Sequence, residues 1–362
     1  MDVKFADVTI TDPEIRSAVD DILTTGSFIN GPWNSKFIEA FEQQFSEGCK
    51  VAPVSSGSAA LTVALRVAAD KSKPYVVIPD YSFAATLFSV IEADYWPMFC
   101  PVDSHGLMDV EQLRELIAEN SQDIAAIIPV HLYGQKLILP TDICEEFTII
   151  EDACQAHGVV RSPQADAMCF SFYPSKNLGA GGDAGAVVSK NEELIANVRR
   201  YCNYGDYPGV DKYKHSIMGS NMRMDEIQAA ILTIKLQRKS MGATAMQRRD
   251  QAWVYDEAIK TIAHLDGSSF HLYPILVHER ERVAEFLRNN GIETGCHYPY
   301  TLPQIYKVGF AGGHAQTLAQ HELSLPIGSQ VADIQQEAIC DIFESCFEYD
   351  SIHSMYTLKE GL

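Results

Sequence analysis

The sequence contains no apolar run long enough to cross a bilayer, and its nine cysteines include no pair with the Cys-x-x-Cys spacing of a zinc site. Several of these cysteines lie within apolar segments, where a free thiol behaves as a small hydrophobic side chain. The first seven residues also lack the character of a signal peptide. We therefore expect a reduced, metal-free protein of the cytoplasm that has no membrane span.

Positive charge is also scarce, because 28 Lys and Arg residues stand against 48 Asp and Glu residues, giving a net charge of −20. A chain of this charge repels the phosphate backbone, so we expect no nucleic-acid partner. Internal repeats and low-complexity segments are absent as well. Hydrophobic residues make up 46% of the 362 residues, which is enough for one large domain and a smaller one.

Short apolar segments alternate with segments of helical periodicity in the first half of the chain. This alternation predicts an α/β domain with three layers, in which helices cover both faces of a mainly parallel, seven-stranded sheet. The predicted strands are residues 51–54, 75–79, 98–102, 124–131, 147–151, 167–173 and 185–189.

The pattern changes after residue 219 and predicts a smaller C-terminal α/β domain. Asp225 followed by Gln228 is typical of a helix start, and the apolar spacing extends this helix to Met246 or beyond. We expect a large domain with an N-terminal arm at residues 1–235 and a small domain at residues 236–362. Further predicted elements of the small domain are a strand at 272–277 and helices at 279–289 and 331–347.

Lys176 stands at the end of a predicted strand, just after Pro174 and before a turn with three glycines. A lysine amine that is removed from water can lose its charge and form a Schiff base with an aldehyde. The alternative is a surface lysine that opens a solvated loop, which is the usual place for a lysine.

Other strand ends carry groups that would complement such an amine. Gly57 and Ser58 open a helix and could hold a phosphate, although a tight turn with a capping serine explains them equally well. Asp152 could pair with a ring nitrogen or could simply cap a helix, and Phe83 could stack on a ring or pack in the core. Ligands bind at the carboxyl ends of parallel strands, and together these groups meet the needs of pyridoxal phosphate.

The chain resembles the DegT/StrS family of nucleotide-sugar aminotransferases, which have the pyridoxal-phosphate fold type I of aspartate aminotransferase. The resemblance covers nearly the whole chain and rests on several motifs in the family's order. These motifs are Gly31-Pro32 before residues 37–42 (FIEAFE), then 151–158 (EDACQAHG), 171–177 (SFYPSKN), 219–230 (GSNMRMDEIQAA), 297–299 (HYP) and 323–326 (LSLP).

The resemblance implies a role for each residue around the cofactor ring. Lys176 forms the Schiff base with pyridoxal 5′-phosphate and shuttles protons during the reaction. Asp152 pairs with the ring nitrogen, Gln155 bonds to the phenolic oxygen, and Phe83 stacks on the ring. Lys176 occupies a position at which related dehydratases have histidine, so the resemblance favours transamination.

The resemblance also implies a homodimer with shared active sites. The backbone groups of Gly57 and Ser58, together with Ser171, would hold the phosphate, and Asn221 of the neighbouring subunit would reach it as well. The expected substrate contacts, which are also assigned to the partner chain, are Arg223, His297 and Tyr298.

The implied reaction transfers the amino group of L-glutamate to a keto sugar attached to a nucleoside diphosphate. The residues after Lys176, together with residues 203–205 and 212–213, are similar to those of enzymes that act on 3-keto sugars. We expect a dTDP-3-keto-6-deoxyhexose and a place in deoxyamino sugar biosynthesis, for O-antigen, S-layer or natural-product glycans. Alternatives are a 4-keto substrate, a UDP-linked substrate and a non-catalytic regulator. Residues 159–169 and 263–270 are short for the family, and these loops bear on the substrate.

Overall fold

A computed structural model of the protein describes residues 2–160, 165–206, 214–263, 267–309 and 311–359. All seven predicted strands are present in its large α/β sheet. They are β1 (Lys50–Val54), β2 (Tyr75–Pro79), β3 (Trp96–Cys100), β4 (Ile124–Ile127), β5 (Ile150–Asp152), β6 (Ala167–Ser171) and β7 (Gly185–Ser189).

The sheet consists of two ladders, β1-β7-β6-β5 and β3-β2-β4. Parallel bridges from Ile127 to Ile149 and from Val130 to Asp152 join these ladders. Strand β7 runs antiparallel to β1 and to β6, whereas the other neighbouring strands are parallel. The mainly parallel sheet is therefore confirmed, and the carboxyl ends of β1, β5 and β6 lie at the same edge.

Helices alternate with these strands, in agreement with the alternation of apolar and helical segments in the sequence. They are α1 (Pro13–Thr25), α2 (Pro32–Glu42), α3 (Gly57–Ala68), α4 (Ala84–Glu92), α5 (Val110–Asn120), α6 (Thr141–Glu146), α7 (Glu192–Cys202) and α8 (Glu226–Arg238). Helix α3 is buried almost all round, because it is rich in alanine and leucine and packs against the sheet as well as α4 and α7.

The long helix predicted from Asp225 to beyond Met246 is wrong, because two helices occupy this stretch. Helix α8 ends where Lys239 takes an extended conformation, and α9 (Met241–Ala258) begins one residue after Ser240. The Ser240 hydroxyl accepts a hydrogen bond from the Ala243 amide at 3.2 Å and so caps α9. The domain boundary after residue 235 falls within the last turn of α8 and stays a prediction.

The remaining elements form the smaller C-terminal part. They are β8 (Tyr273–Leu276), α10 (Arg280–Asn289), α11 (Leu302–Tyr306), α12 (Gly313–His321), β9 (Glu322–Leu325), α13 (Asp333–Cys346), β10 (Phe347–Asp350) and β11 (Met355–Leu358). Strand β8 pairs antiparallel with β9, and β10 pairs antiparallel with β11. A parallel bridge from Val277 to Tyr356 connects the two pairs. The predicted strand at 272–277 and the predicted helices at 279–289 and 331–347 are thus confirmed.

A cluster of phenylalanines fixes α2 against the strand that leads to Lys176. Phe37 and Phe41 of α2 are stacked, with ring centroids 5.2 Å apart, and both are fully buried. Phe41 also meets Phe170 and Phe172 edge to face at 5.5 and 5.2 Å. Such aromatic pairs each add about 0.5–1.5 kcal/mol beyond the burial of their area. The end of β6 is therefore held firmly in place.

Among the described residues, no helix combines the length and the apolar character that crossing a membrane requires. The nine cysteines are free thiols. Cys100, Cys169 and Cys202 are fully or almost fully buried in the core, where they pack as small hydrophobic side chains.

Candidate active site

The edge formed by the carboxyl ends of β1, β5 and β6 brings the predicted site residues together. Asp152 is the last residue of β5, and Ser171 is the last residue of β6. Lys176 follows Ser171 by five residues, and Gly57 opens α3 just after β1. These residues come from distant parts of the chain, and the strand order makes them neighbours.

The Lys176 amine lies among buried groups. Its Nζ atom is 3.4 Å from Nε2 of His271. Burial lowers the pKa of Lys176 below its ordinary value, and the nearby Cys154 and Asp152 oppose this shift. A lowered pKa leaves more of the amine neutral near pH 7, which is the nucleophilic form. Lys176 is half-buried and contacts the buried His271, so it is not a fully solvated loop lysine.

The carboxylate of Asp152 is held by two hydrogen bonds. Thr86 donates its hydroxyl to Oδ2 at 3.0 Å, and the Cys154 amide donates to Oδ1 at 3.2 Å. Asp152 is only 6% exposed, so its carboxylate keeps a fixed direction at the strand end. Thr86 did not emerge from the sequence as a site residue, although it lies three residues after Phe83.

Gln155 is oriented by both ends of its amide. Its Oε1 accepts a hydrogen bond from the Tyr133 amide at 2.7 Å, and its Nε2 donates to the Tyr298 hydroxyl at 3.0 Å. Tyr298 therefore lies beside Gln155 of its own chain. Its role as a substrate contact, and the expectation that a partner chain supplies it, stay predictions. Phe83 is 53% exposed, and its ring lies 5.4 Å from that of Tyr298, so Phe83 is not a core residue.

The turn before α3 packs directly against the end of β6. A Cβ atom added at Gly57 would lie 2.6 Å from Cβ of Ser171 and 3.0 Å from Sγ of Cys154. Ser56 caps the helix by accepting from the Ala59 amide at 3.0 Å, and Ser58 is exposed. The N-terminus of α3 and the Ser171 hydroxyl thus form a cradle of the kind that binds phosphate. The residues present therefore fit pyridoxal phosphate, with an amine, a carboxylate and an anion site at one edge.

Two buried tyrosines of the large sheet region clamp residues 297 and 298. The Tyr133 hydroxyl donates to the His297 carbonyl at 2.7 Å, and the Tyr81 hydroxyl donates to the Tyr298 carbonyl at 3.0 Å. Both tyrosine rings are fully buried. Neither tyrosine was identified from the sequence, because their partners lie more than a hundred residues away along the chain.

His297 is supported by a short polar chain that ends at Glu322. The His297 Nδ1 atom lies 3.0 Å from the Ser324 hydroxyl, which donates to the Glu322 carboxylate. Burial, aided by the charge of Lys176, lowers the pKa of His297 to about 4, so its imidazole is neutral at pH 7. Burial raises the pKa of Glu322 to about 7.

Asn221 and Arg223 lie in a separate polar cluster at the surface. The Arg223 guanidinium donates to Asn203 at 2.8 Å and to Asn221 at 3.2 Å, and it lies over the Tyr204 ring at 5.5 Å. Within the described ranges, neither residue contacts Lys176 in its own chain. Residues 212 and 213, which were expected to bear on the substrate, fall outside those ranges.

Comparison with known proteins identifies the family. The model of the DegT/DnrJ/EryC1/StrS aminotransferase family matches residues 9–344. The chain belongs to this family. The dTDP-3-amino-3,4,6-trideoxy-α-D-glucose transaminase of Streptomyces venezuelae is 31% identical, over 94% of this chain and 94% of the relative. The erythromycin biosynthesis sensory transduction protein EryC1 of Saccharopolyspora erythraea is 32% identical, over 92% of this chain and 96% of the relative.

The solved structures agree with this membership. The crystal structure of S. venezuelae DesV in complex with a ketimine intermediate matches with a TM-score of 0.84 and 29% identity. The match covers 95% of this chain and 98% of that chain. The protein is a pyridoxal-phosphate-dependent aminotransferase of the DegT/DnrJ/EryC1/StrS family, and the resemblance inferred from its motifs is confirmed. The role of each individual site residue stays a prediction.

Replacing Gly57 with alanine is expected to weaken cofactor binding about tenfold or more, a loss of at least about 1.4 kcal/mol. The new Cβ atom would overlap Ser171 and push the N-terminus of α3 away from β6. The dissociation constant of pyridoxal phosphate for the apoprotein measures this effect. Ser58→Ala is the matched control, because it keeps the backbone amide and changes the constant by no more than about threefold. Equal affinities of Gly57→Ala and the native protein would contradict the cradle.

Proposed function

We propose that this aminotransferase moves the amino group of L-glutamate to C3 of a dTDP-linked 3-keto-6-deoxyhexose. The observation that carries the proposal is the Lys176 amine, which is partly buried at the same sheet edge as Asp152 and the cradle at Gly57. Lysine at this position suits proton transfer in transamination. The S. venezuelae relative, which is named as a transaminase of a 3-amino sugar, supports C3 as the acceptor position.

In this proposal, each side chain around the cofactor has a separate role. Pyridoxal phosphate supplies an electron sink for the bonds at the reacting carbon. Lys176 anchors it and then moves a proton at the reacting carbon of the substrate. Asp152, fixed by Thr86, would keep a positive charge on the ring nitrogen, and Gln155, oriented by the Tyr133 amide, would hold the phenolic oxygen.

The solvent-exposed side of the site for the cofactor ring carries aromatic and hydrogen-bonding side chains that can bind a sugar. Phe83 presents its ring beside Tyr298, and the Tyr298 hydroxyl is within hydrogen-bonding distance of Gln155. His297 is neutral at pH 7 and can accept or donate a hydrogen bond to a sugar hydroxyl without adding charge. We assign Tyr298 and His297 to the substrate side of the same chain.

A second copy of the chain completes the site in this proposal. Asn221 is exposed, and its side-chain oxygen is held by Arg223 at 3.2 Å. Both side chains lie at or near the surface of their own chain, which supports a role toward the phosphate and the substrate of a neighbouring subunit. The assembly is then a homodimer whose two sites share residues. The cytoplasmic location and the role in glycan biosynthesis remain part of the proposal.

A substrate panel tests the position of amination. With L-glutamate as donor, we expect kcat/KM for a dTDP-3-keto-6-deoxyhexose to exceed that for the 4-keto isomer about a hundredfold, because a misplaced ketone leaves buried polar groups unpaired. A UDP-linked 3-keto sugar and the Lys176→Ala variant complete the panel. Formation of 2-oxoglutarate gives the rate, and NMR of the amino sugar gives the carbon. Faster turnover of the 4-keto isomer would exclude C3.

Complementation tests the shared site. Lys176→Ala and Asn221→Asp are each expected to be nearly inactive, the second because a carboxylate would repel the cofactor phosphate. Coexpression of the two chains gives heterodimers in which one of the two sites is native. With random pairing, about half of the dimers are mixed and about a quarter of the native activity returns. If no activity returns although mixed dimers form, then each chain supplies its own Asn221.

A further inference from the structure

His271 contacts the Lys176 amine from the small C-terminal part of the protein. It lies two residues before β8 and is only 8% exposed. Its Nε2 atom is 3.4 Å from Nζ of Lys176. This histidine could not be singled out from the sequence, since it stands between the apolar residues Phe270 and Leu272 near a strand start.

The neighbouring amide sets the tautomer of His271. The Nδ1 atom of His271 is 3.2 Å from Oδ1 of Asn177, and Nδ2 of Asn177 donates to the Ser269 carbonyl at 3.3 Å. With its NH2 group engaged, Asn177 presents an acceptor to the ring, so Nδ1 carries the hydrogen and Nε2 keeps a lone pair. Burial, together with the charges of Lys176 and Arg248, lowers the pKa of His271 and keeps the ring neutral. Lys176 must then be the donor in the contact.

The backbone of His271 is held as firmly as its ring. Arg248 donates to the carbonyls of Phe270, His271 and Ile327 at 3.0, 3.3 and 3.0 Å. On the other side, the Ser269 hydroxyl donates to the Gln155 carbonyl at 3.1 Å. The acceptor nitrogen therefore has a fixed place relative to the ring-binding residues.

We propose that His271 is a positioning residue, which holds the Lys176 amine in its productive orientation while Asn177 fixes the His271 tautomer. One N–H of the amine bonds to Nε2, so the nitrogen lone pair points away from the imidazole. In the attachment step this lone pair forms a bond to the aldehyde carbon of the cofactor, and the aldehyde oxygen leaves as water with the two amine hydrogens. The proposal rests on Lys176 being the cofactor lysine and is independent of the sugar.

The test compares His271→Asn with His271→Gln. Glutamine can place an amide oxygen where Nε2 stands, whereas asparagine reaches only the Nδ1 position. Apoprotein is mixed with pyridoxal phosphate, and the absorbance of the lysine-bound form gives the rate of attachment. Pyridoxamine phosphate has no aldehyde and cannot form a bond to Lys176, so its affinity measures only whether the cofactor pocket is intact. We expect about a tenfold slower attachment for His271→Asn, a rate within about threefold of native for His271→Gln, and unchanged pyridoxamine phosphate affinity in both.

Native-rate attachment in His271→Asn would overturn the proposal, and so would a glutamine variant that is as slow as the asparagine variant. Asn177→Leu provides a second route if His271→Asn does not bind pyridoxamine phosphate. It keeps the imidazole and removes the acceptor that fixes its tautomer, so we expect attachment about threefold slower or more. An unchanged rate in Asn177→Leu would also overturn the proposal. Because neither glutamate nor a sugar is present, an inactive substrate panel leaves this result unaffected.

Discussion

The structure around the site depends on partly withdrawing one amine, that of Lys176, from water. Burial disfavours the ammonium form, while Asp152 and Cys154 favour it, and burial is the larger effect. The strand order supplies this environment, since it sets the end of β6 beside the end of β5 and beneath the start of α3. The phenylalanine cluster on α2 fixes β6 from the other side of the sheet. His271, from the small C-terminal part, contacts the amine.

Hydrogen bonds as well as apolar packing join the small C-terminal part to the large sheet at the site. Tyr81 and Tyr133 bond to the backbone at His297 and Tyr298, so a substrate-side segment is held by the sheet that carries the cofactor residues. Behind it, Glu322 is buried with a pKa raised to about 7, whereas the His297 imidazole stays neutral at that pH. Because Gln155 donates a hydrogen bond to the Tyr298 hydroxyl, a displacement of residues 297 and 298 would also shift Gln155.

Much of this arrangement could be predicted from local patterns. The apolar periodicity located the seven strands, and the turn at Gly57 and the lysine after β6 stood out because each is unusual at a strand end. Residues that act through distant partners, such as Tyr81, Thr86 and His271, leave no local signal. The break between α8 and α9 was missed because Ser240 caps a helix only if the chain before it is extended.

The glycines after Lys176 have a packing reason. A Cβ atom at Gly179 would overlap the Pro174 carbonyl, and one at Gly181 would lie 2.8 Å from Ile231. Because packing alone explains these glycines, they are weaker evidence for a 3-keto sugar substrate than the resemblance of this segment implies.

The claim that Lys176 is the amine which carries the cofactor is tested most directly by reducing the purified holoenzyme with sodium borohydride and mapping the modified peptide by mass spectrometry. The structure predicts that the cofactor mass lies on the peptide containing Lys176. The adduct should be lost in Lys176→Ala and retained in a control at the exposed Lys190. An adduct on a different lysine, or a protein that takes up no pyridoxal phosphate, would contradict this account.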